Sequence, residues 1–331
     1  MRAAVAERPD GPDGLVVREV PRPEPRPGWA LVRVEAFGLN RSEYMTLRGW
    51  SGDAVQFPRI LGIECTGVVE AVAPGSAVVP GTTVAAVMGG MGRSFDGGYA
   101  EYALLPESQL MVLDTKLPWD VLGALPETFI TAAGSLEPLA LARAETLLLR
   151  GATSSVGLAC LELARAAGVR VVATTRAEAR APGLLERGAA AVLLEGTGFA
   201  ERARAELPGG ADGVVDLIGG RAVLDSLQVV RRGGTVCNSG LLGGEWVIDD
   251  FQPIEDIPSA RKLTAYHSDE AADASVGGPL LRAVIAQVER GDVDPVIDTV
   301  YALDEIAEAH VRMAAGAAMG KLVVLTRPRA G

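Results

Sequence analysis

Chemistry in this 331-residue chain is concentrated in one short turn. The segment Thr146-Leu-Leu-Leu-Arg-Gly151-Ala-Thr-Ser-Ser-Val-Gly157-Leu-Ala reads as an apolar strand, a turn of small residues and the start of an amphipathic helix. A helix start offers unpaired backbone N–H groups and the positive end of the helix dipole, and small side chains let an anion approach the backbone. That suits binding of a pyrophosphate by Ala152, Thr153, Ser154, Ser155, Val156 and Gly157. Against the Gly-x-Gly-x-x-Gly fingerprint of dinucleotide-binding turns, Ala152, Ser154 and Gly157 occupy the three glycine positions, and the last glycine alone is kept. An ordinary strand–helix connection would also satisfy the turn itself. The alternation of elements around it is what favours a dinucleotide.

A site selective for NAD places Asp or Glu at the end of the next strand, where it accepts from the ribose hydroxyls. Here that strand ends Thr174-Thr175-Arg176. With no acid to repel a 2′-phosphate, and with Arg176 and Arg180 close by to bind one, the arrangement favours NADPH held by Thr175, Arg176 and Arg180.

The turn must be positioned by a sheet. Strands are expected over 146–150, 170–174, 191–194, 213–218, 234–238 and 263–266, and helices over 155–167, 177–187 and 222–231. Pro182-Gly183 disturbs the first turn of the second helix. Such alternation implies a parallel sheet with crossover helices. Residues 31–113 instead show short β-rich runs separated by Gly and Pro, the pattern of a barrel or sandwich. The tail from Pro279 is mixed, with helices expected over 280–290 and near 305–314 and a strand over 321–325.

Composition narrows the partners. Thirty-one Lys and Arg against 42 Asp and Glu leave a net charge of −11, a field that repels nucleic-acid phosphates and anionic membrane surfaces. No apolar run approaches the roughly 18 residues of a membrane-spanning helix, and the opening residues carry no apolar signal core, so a cytoplasmic location is expected. Cys65, Cys160 and Cys237 lie far apart and suit reduced thiols better than a disulfide framework. Neither His267 nor His310 has a Cys or His partner at ligand spacing, and both read as structural or solvated.

Along the chain stand Gly38-Leu-Asn40-Arg-Ser-Glu43, Leu61-Gly-Ile-Glu64-Cys-Thr-Gly67-Val-Val-Glu, Gly97-Gly-Tyr-Ala-Glu-Tyr, Leu125-Pro-Glu-Thr-Phe-Ile-Thr131-Ala, the 151–157 turn, Gly188-Ala, Asp212-Gly-Val-Val-Asp216 and Gly320-Lys321-Leu-Val. With these motifs the chain resembles, nearly end to end, the medium-chain dehydrogenase/reductase superfamily, specifically its zinc-independent quinone oxidoreductase branch. The resemblance implies an α/β fold in which a Rossmann doubly wound parallel sheet, residues 122–263, is inserted into a discontinuous GroES-like β-barrel catalytic domain, residues 1–121 and 264–331. It also implies a homodimer joined along the edge strands of the nucleotide domains, where residues 263–266 would otherwise leave an apolar edge exposed.

The departures from zinc-containing relatives carry function. Those relatives have a cysteine at Asn40 and Gly-His-Glu at Gly62-Ile63-Glu64, and they carry a four-cysteine lobe missing here. Ile63 has no donor atom and catalytic zinc takes about three protein ligands, so no metal is expected. By the same resemblance Thr131 borders the nicotinamide, and Ser239, Gly240 and Leu241 bring backbone groups to its carboxamide. Lys321 joins the cofactor set, and Arg180 reaches the 2′-phosphate. Asn40 is expected to serve both cofactor and substrate. Tyr44, one position short of the branch's usual tyrosine, either lines the substrate site or packs as an ordinary aromatic, and Tyr266 either lines that site or packs an interface. Glu195 replaces a tyrosine near the adenosine phosphate and is expected to point outward. The implied activity is NADPH-dependent hydride transfer to a small electrophile, a quinone or an α,β-unsaturated carbonyl. A zinc-type alcohol dehydrogenase and a non-catalytic nucleotide-binding protein are the alternatives, since fold does not fix function.

Overall fold

The computed structural model describes residues 1–327. The chain divides into two compact units, one built from Met1–Ile130, Ser268–Gly291 and the chain from Pro295 on, the other from Thr131–His267 and Asp292–Asp294. These divisions fall after Ile130 and His267 rather than at the expected 121 and 263. A cut after 263 would split the strand Lys262–Ala265, whose four residues all pair with Thr235 through Asn238 and so belong to one sheet.

The second unit is a six-stranded parallel sheet ordered Ala191–Leu194, Arg170–Thr175, Thr146–Arg150, Ala211–Asp216, Val230–Asn238, Lys262–Ala265. In sequence terms this is the order 3-2-1-4-5-6 of doubly wound dinucleotide-binding sheets, and the direction of winding reverses beside the first strand. Leu147, Leu148 and Leu149 are wholly buried. A strand buried on both faces reads as a continuous apolar run, not an alternating one. The turn that follows this strand therefore opens at the switch point, where such sheets bind ligands.

Several elements differ from expectation, three in this unit for identifiable reasons. The helix expected over 177–187 is split into a 3₁₀ turn, Glu178–Arg180, and a helix, Ala181–Glu186, with Pro182 in its first turn, where a missing N–H leaves no hydrogen bond unmade. The strand expected to run to 218 stops at Asp216, because the Asp216 carboxylate accepts from the N–H groups of Ile218 and Gly219 at 2.9 and 3.0 Å and turns the chain. Phe199–Glu206 is a helix that sequence reading did not place. Only Phe199 and Ala203 bury, too short an apolar period to stand out among charges.

The first unit carries a three-stranded sheet, Leu15–Glu19, Arg2–Ala6, Arg59–Ile60, and a seven-stranded one. The larger runs Ile297–Ala302, Lys321–Leu325, Trp29–Gly38, Glu64–Val72, Thr83–Val87, Met111–Val112, with Tyr102–Pro106 also paired to Trp29–Gly38. Val32, Val34, Phe37, Val69 and Val324 are among the residues of its apolar core, and Tyr99 stacks on Phe37 with ring centroids 4.7 Å apart. The helix Ala274–Glu289 starts before Pro279, not after it, capped by the Asp273 carboxylate on the Ser275 N–H at 2.8 Å.

Candidate functional site

In the second unit the turn is shaped by its own backbone. Gly151 has φ +79°, a left-handed conformation open to glycine at little cost, and its N–H donates to Thr174 Oγ1 at 3.1 Å. Ser154 caps the helix Ser155–Ala166. Its Oγ accepts from Gly157 N at 3.1 Å and donates to Gly151 O at 2.9 Å. Among the described residues the N–H groups of Ser155 and Val156 take no acceptor, which leaves two donors at the positive end of a twelve-residue helix. A Cβ on Gly157 would lie 2.5 Å from Gly151 O and 2.7 Å from Ala152 Cα, so only a glycine fits against the turn backbone there. Free N–H groups over small residues fit a dinucleotide's pyrophosphate.

At the expected adenosine end, Thr175 is buried and its hydroxyl is engaged with both N–H and O of Ala177. It shapes the loop. Arg176 is exposed and Arg180 half-buried. Glu195 corrects an expectation, since its side chain does not point outward and is only 8% exposed. It faces Arg150, whose Nε and Nη2 reach the two carboxylate oxygens at 3.0 and 2.5 Å. Arg150 is itself 2% exposed, donates to Ala222 O and Ser226 Oγ, and lies 3.9 Å over the Phe199 ring. An arginine one residue before the phosphate turn thus neutralises the acid that sequence reading wanted turned away.

At the other end of this unit, Asn238 Nδ2 donates to Asp216 O and Gly240 O, and Ser239 N–H donates to Asp216 O, fixing the backbone of Ser239, Gly240 and Leu241. Ser135 Oγ stands 2.6 Å from Thr131 O and 2.7 Å from Ser239 Oγ. It joins two predicted segments, though nothing in its sequence context singled it out. Tyr266 lies against Gly134, where a Cβ would come within 2.0 Å of its ring.

The first unit holds a buried polar cluster whose members come from the whole length of the chain. Asn40 precedes the helix Arg41–Leu47, and its backbone N–H donates to Glu43 Oε2 at 3.0 Å. Glu43 Oε1 accepts from Ile63 N–H at 3.0 Å. The Asn40 amide donates from Nδ2 to Glu64 Oε1 at 2.8 Å, and its Oδ1 accepts from Lys321 Nζ at 2.7 Å. Lys321 Nζ also pairs with Glu64 Oε1 at 2.7 Å, with side chains 2% and 0% exposed. Glu64 Oε2 accepts from Glu127 N–H, and Glu127 Oε1 accepts from Ser268 Oγ at 2.6 Å. Tyr44 is half-buried one turn along the helix from Asn40, with the Arg41 guanidinium 5.7 Å from its ring centroid. Lys321, expected among cofactor contacts, has its ammonium committed to Glu64 and Asn40.

Behind this cluster Tyr99 OH lies 3.0 Å from His310 Nε2. Burial raises the Glu43 carboxyl to about 7, pushes the Tyr99 hydroxyl up with the Glu43 charge adding to it, and lowers His310 to about 3. His310 is therefore a neutral core residue, while His267 is exposed. The three cysteines are free and buried. Glu43 was detectable in the sequence as the fourth residue of an Asn-x-x-Glu capping pattern, and Tyr99 sits in the Gly97-Gly-Tyr-Ala-Glu-Tyr motif, but nothing local ties it to His310.

The descriptions of the matching family models are "Alcohol dehydrogenase GroES-like domain" over residues 26–115 and "Zinc-binding dehydrogenase" over residues 188–324. Quinone oxidoreductase of Rattus norvegicus is 28% identical over 331 residues, 98% of each chain. Among solved structures, an NAD-dependent alcohol dehydrogenase superposes with TM-score 0.85 at 26% identity over 99% of this chain and 100% of that one. A 2-haloacrylate reductase superposes with TM-score 0.86 at 25% identity over the full length of both. The zinc in the second model's description does not fit the residues here. Ile63 offers no donor atom, and Asn40 Oδ1 is already held by an ammonium ion, which a metal would have to displace. The fold, the open phosphate turn and these similarities identify a nicotinamide-dependent oxidoreductase. The chain belongs to the medium-chain dehydrogenase/reductase superfamily, in its zinc-independent, quinone oxidoreductase-like branch.

Proposed function

We propose that this protein is an NADPH-dependent reductase that adds hydride, without a metal, to a quinone or to the β-carbon of an α,β-unsaturated carbonyl. The observation that carries this reading is the pair Asn40 and Ile63. Where a zinc relative would polarise the substrate oxygen with a metal, this chain has one side chain with no donor atom and one amide. An amide N–H can stabilise an oxyanion as it forms, and such preorganised donors contribute about 2.7–4 kcal/mol.

The bound nicotinamide supplies the hydride. The remaining work falls to the chain. Ser155 and Val156 present N–H groups for the pyrophosphate, and Thr131, Ser239, Gly240 and Leu241 form the nicotinamide end. Arg176 and Arg180 favour a 2′-phosphate, and because Arg150 neutralises Glu195, that carboxylate does not oppose it. Asn40 donates to the substrate oxygen, and Tyr44 is the candidate for passing a proton to it. The similar 2-haloacrylate reductase acts, by its name, on an activated alkene, which supports the enone branch of this reading. The exposed, partly apolar edge strand Lys262–Ala265 suits pairing with a second copy, and we expect a cytoplasmic homodimer in light scattering.

The test is incubation with NADPH carrying deuterium at the transferable position and a panel of quinones, enones and simple aldehydes. Deuterium at an enone β-carbon, or quinol formation with loss of label to solvent, is the expected outcome. Turnover of aldehydes alone would overturn the assignment.

A further inference from the structure

Lys321 is a long cation placed where a cation is hard to place. It opens the strand Lys321–Leu325, is 2% exposed, and threads past Gly38. A Cβ at Gly38 would lie 2.0 Å from Lys321 Cε, 2.8 Å from Nζ and 2.7 Å from Glu64 Oε1. The strand Trp29–Gly38 thus ends in a glycine that leaves room for this side chain. Buried ion pairs are poor stabilisers, because apolar residues of similar volume serve at least as well. The residue invites a reason beyond stability.

The hydrogen bonds supply one. Lys321 Nζ, Glu64 Oε1 and Asn40's amide form a closed triangle, with Nζ to Oε1 and Nζ to Oδ1 both 2.7 Å and Nδ2 to Oε1 2.8 Å. An ammonium group can only donate, and a carboxylate paired to it can only accept. Flipping the amide would set NH₂ against NH₃⁺ and C=O against the carboxylate, so the network permits one orientation. One Nδ2 proton is spent on Glu64. Among the described residues the other has only distant acceptors, Glu43 Oε1 at 3.4 Å and Gly38 O at 3.5 Å.

We propose that Lys321 is a positioning residue that locks Asn40 as a single-proton donor, with its amide oxygen withdrawn from ligand contact. The inference rests on the reading that Asn40 donates to the substrate oxygen. Lys321 acts on that oxygen only through Asn40, by fixing which amide edge is offered and by polarising the amide from its carbonyl side. This also accounts for a buried lysine whose ammonium is committed to Glu64 and Asn40.

The experiment is a double-mutant cycle between Lys321→Met and Asn40→Ala. Lys321→Met alone strands the Glu64 carboxylate, so Lys321→Met with Glu64→Gln is made alongside it, a variant in which that carboxylate is removed with its partner. Turnover with an enone or quinone, KM, and cofactor affinity by nicotinamide fluorescence are read for each. The expected result is a roughly 10- to 100-fold fall in kcat for both Lys321 variants, with cofactor Kd within about twofold of wild type. In an Asn40→Ala background the Lys321 substitution should change kcat by less than about twofold, as expected for residues that act as a unit. A readout without cofactor is the Asn40 side-chain ¹⁵N–¹H pair, expected to show two well-separated, slowly exchanging protons that merge toward solvent values in Lys321→Met. Additive losses, a parallel loss of cofactor affinity, or an unchanged Asn40 amide signal would overturn the inference while leaving the assigned reaction intact. If Asn40→Ala itself turns over at the wild-type rate, the role assigned to Asn40 fails instead.

Discussion

The phosphate turn of the second unit and the polar cluster of the first achieve preorganisation in opposite ways. The turn uses backbone. Its working groups are N–H donors at a helix start, its side chains are small, and its positions are consecutive from Gly151 to Gly157. The cluster uses side chains, Asn40, Glu43, Glu64, Glu127, Ser268 and Lys321, brought from four strands and helices and one 3₁₀ turn. Only the carboxylates, amide and ammonium decide what it can do. A backbone site tolerates changes in its side chains but not a gain of atoms against its main chain. A side-chain site fails on the loss or reorientation of a single polar atom.

The largest expected effect tests the first half of that contrast. Gly157→Val adds atoms where even a Cβ would sit 2.5 Å from Gly151 O, and backbone on the other side cannot give way as a flexible side chain would. Cofactor binding should fall by more than roughly a hundredfold, since displacing bound groups by about an ångström commonly has that effect. Thr153→Ala, in the same turn, should change it by less than about threefold. Fluorescence titration with reduced nicotinamide cofactor checks both. Equal sensitivity at the two positions would mean that the turn works through side chains after all.

Asn40→Ala is the matching change in the cluster and loses atoms, not gains them. Turnover should drop by about 10²–10³, measured as kcat with an enone or quinone, while cofactor affinity moves far less. A rise in KM alone would place Asn40 in uniform substrate binding and remove it from stabilisation of the developing charge.

The same contrast explains what could be read from sequence. The sheet was legible because strands such as Thr146–Arg150 are local apolar runs and because the alternation of strand and helix has one common parallel outcome. The turn was legible because its chemistry is contiguous. The polar cluster was half legible, in that Asn40, Glu64 and Lys321 each sit in a motif of the resembling family, yet their mutual contact spans 281 residues and has no local signature. Glu195 shows the limit most clearly. Taken alone, a carboxylate near a phosphate site should turn away, and what reverses the expectation is Arg150, 45 residues earlier and on a different strand. Pairwise compensation between distant strands cannot be inferred from either residue's neighbours.

A smaller effect is expected where the turn does depend on charged side chains, at its adenosine end. Replacing both Arg176 and Arg180 with alanine should weaken NADPH by tens-fold, from charge-assisted bonds of about 1.5–3 kcal/mol each discounted for the exposure of Arg176. NADH should be little affected. Equal losses for the two cofactors would remove the selectivity from these arginines and leave the Glu195–Arg150 pair as the place to look for it.

The smallest effect lies behind the cluster and concerns stability. Glu43 and His310 both adjoin Tyr99 and are perturbed in opposite directions by the same cause, burial. The carboxyl of Glu43 rises from an ordinary 4.5 to about 7, so its contribution is fully present below 4.5 and is lost as pH rises through 7. His310 falls from 6.5 to about 3, so its contribution is present above 6.5 and is lost as pH falls toward 3. Between 4.5 and 6.5 the two slopes oppose each other, each limited to about 1.4 kcal/mol per pH unit. Urea denaturation across pH 3 to 8 should therefore separate them by substitution. Glu43→Gln removes a loss on raising pH, so its stability should climb more steeply than wild type from 4.5 to 7. His310→Gln removes a gain on raising pH, so its curve should climb less steeply, or fall, from 3 to 6.5. Slopes that move in the same direction in both variants would show that the two groups beside Tyr99 do not titrate in opposite senses.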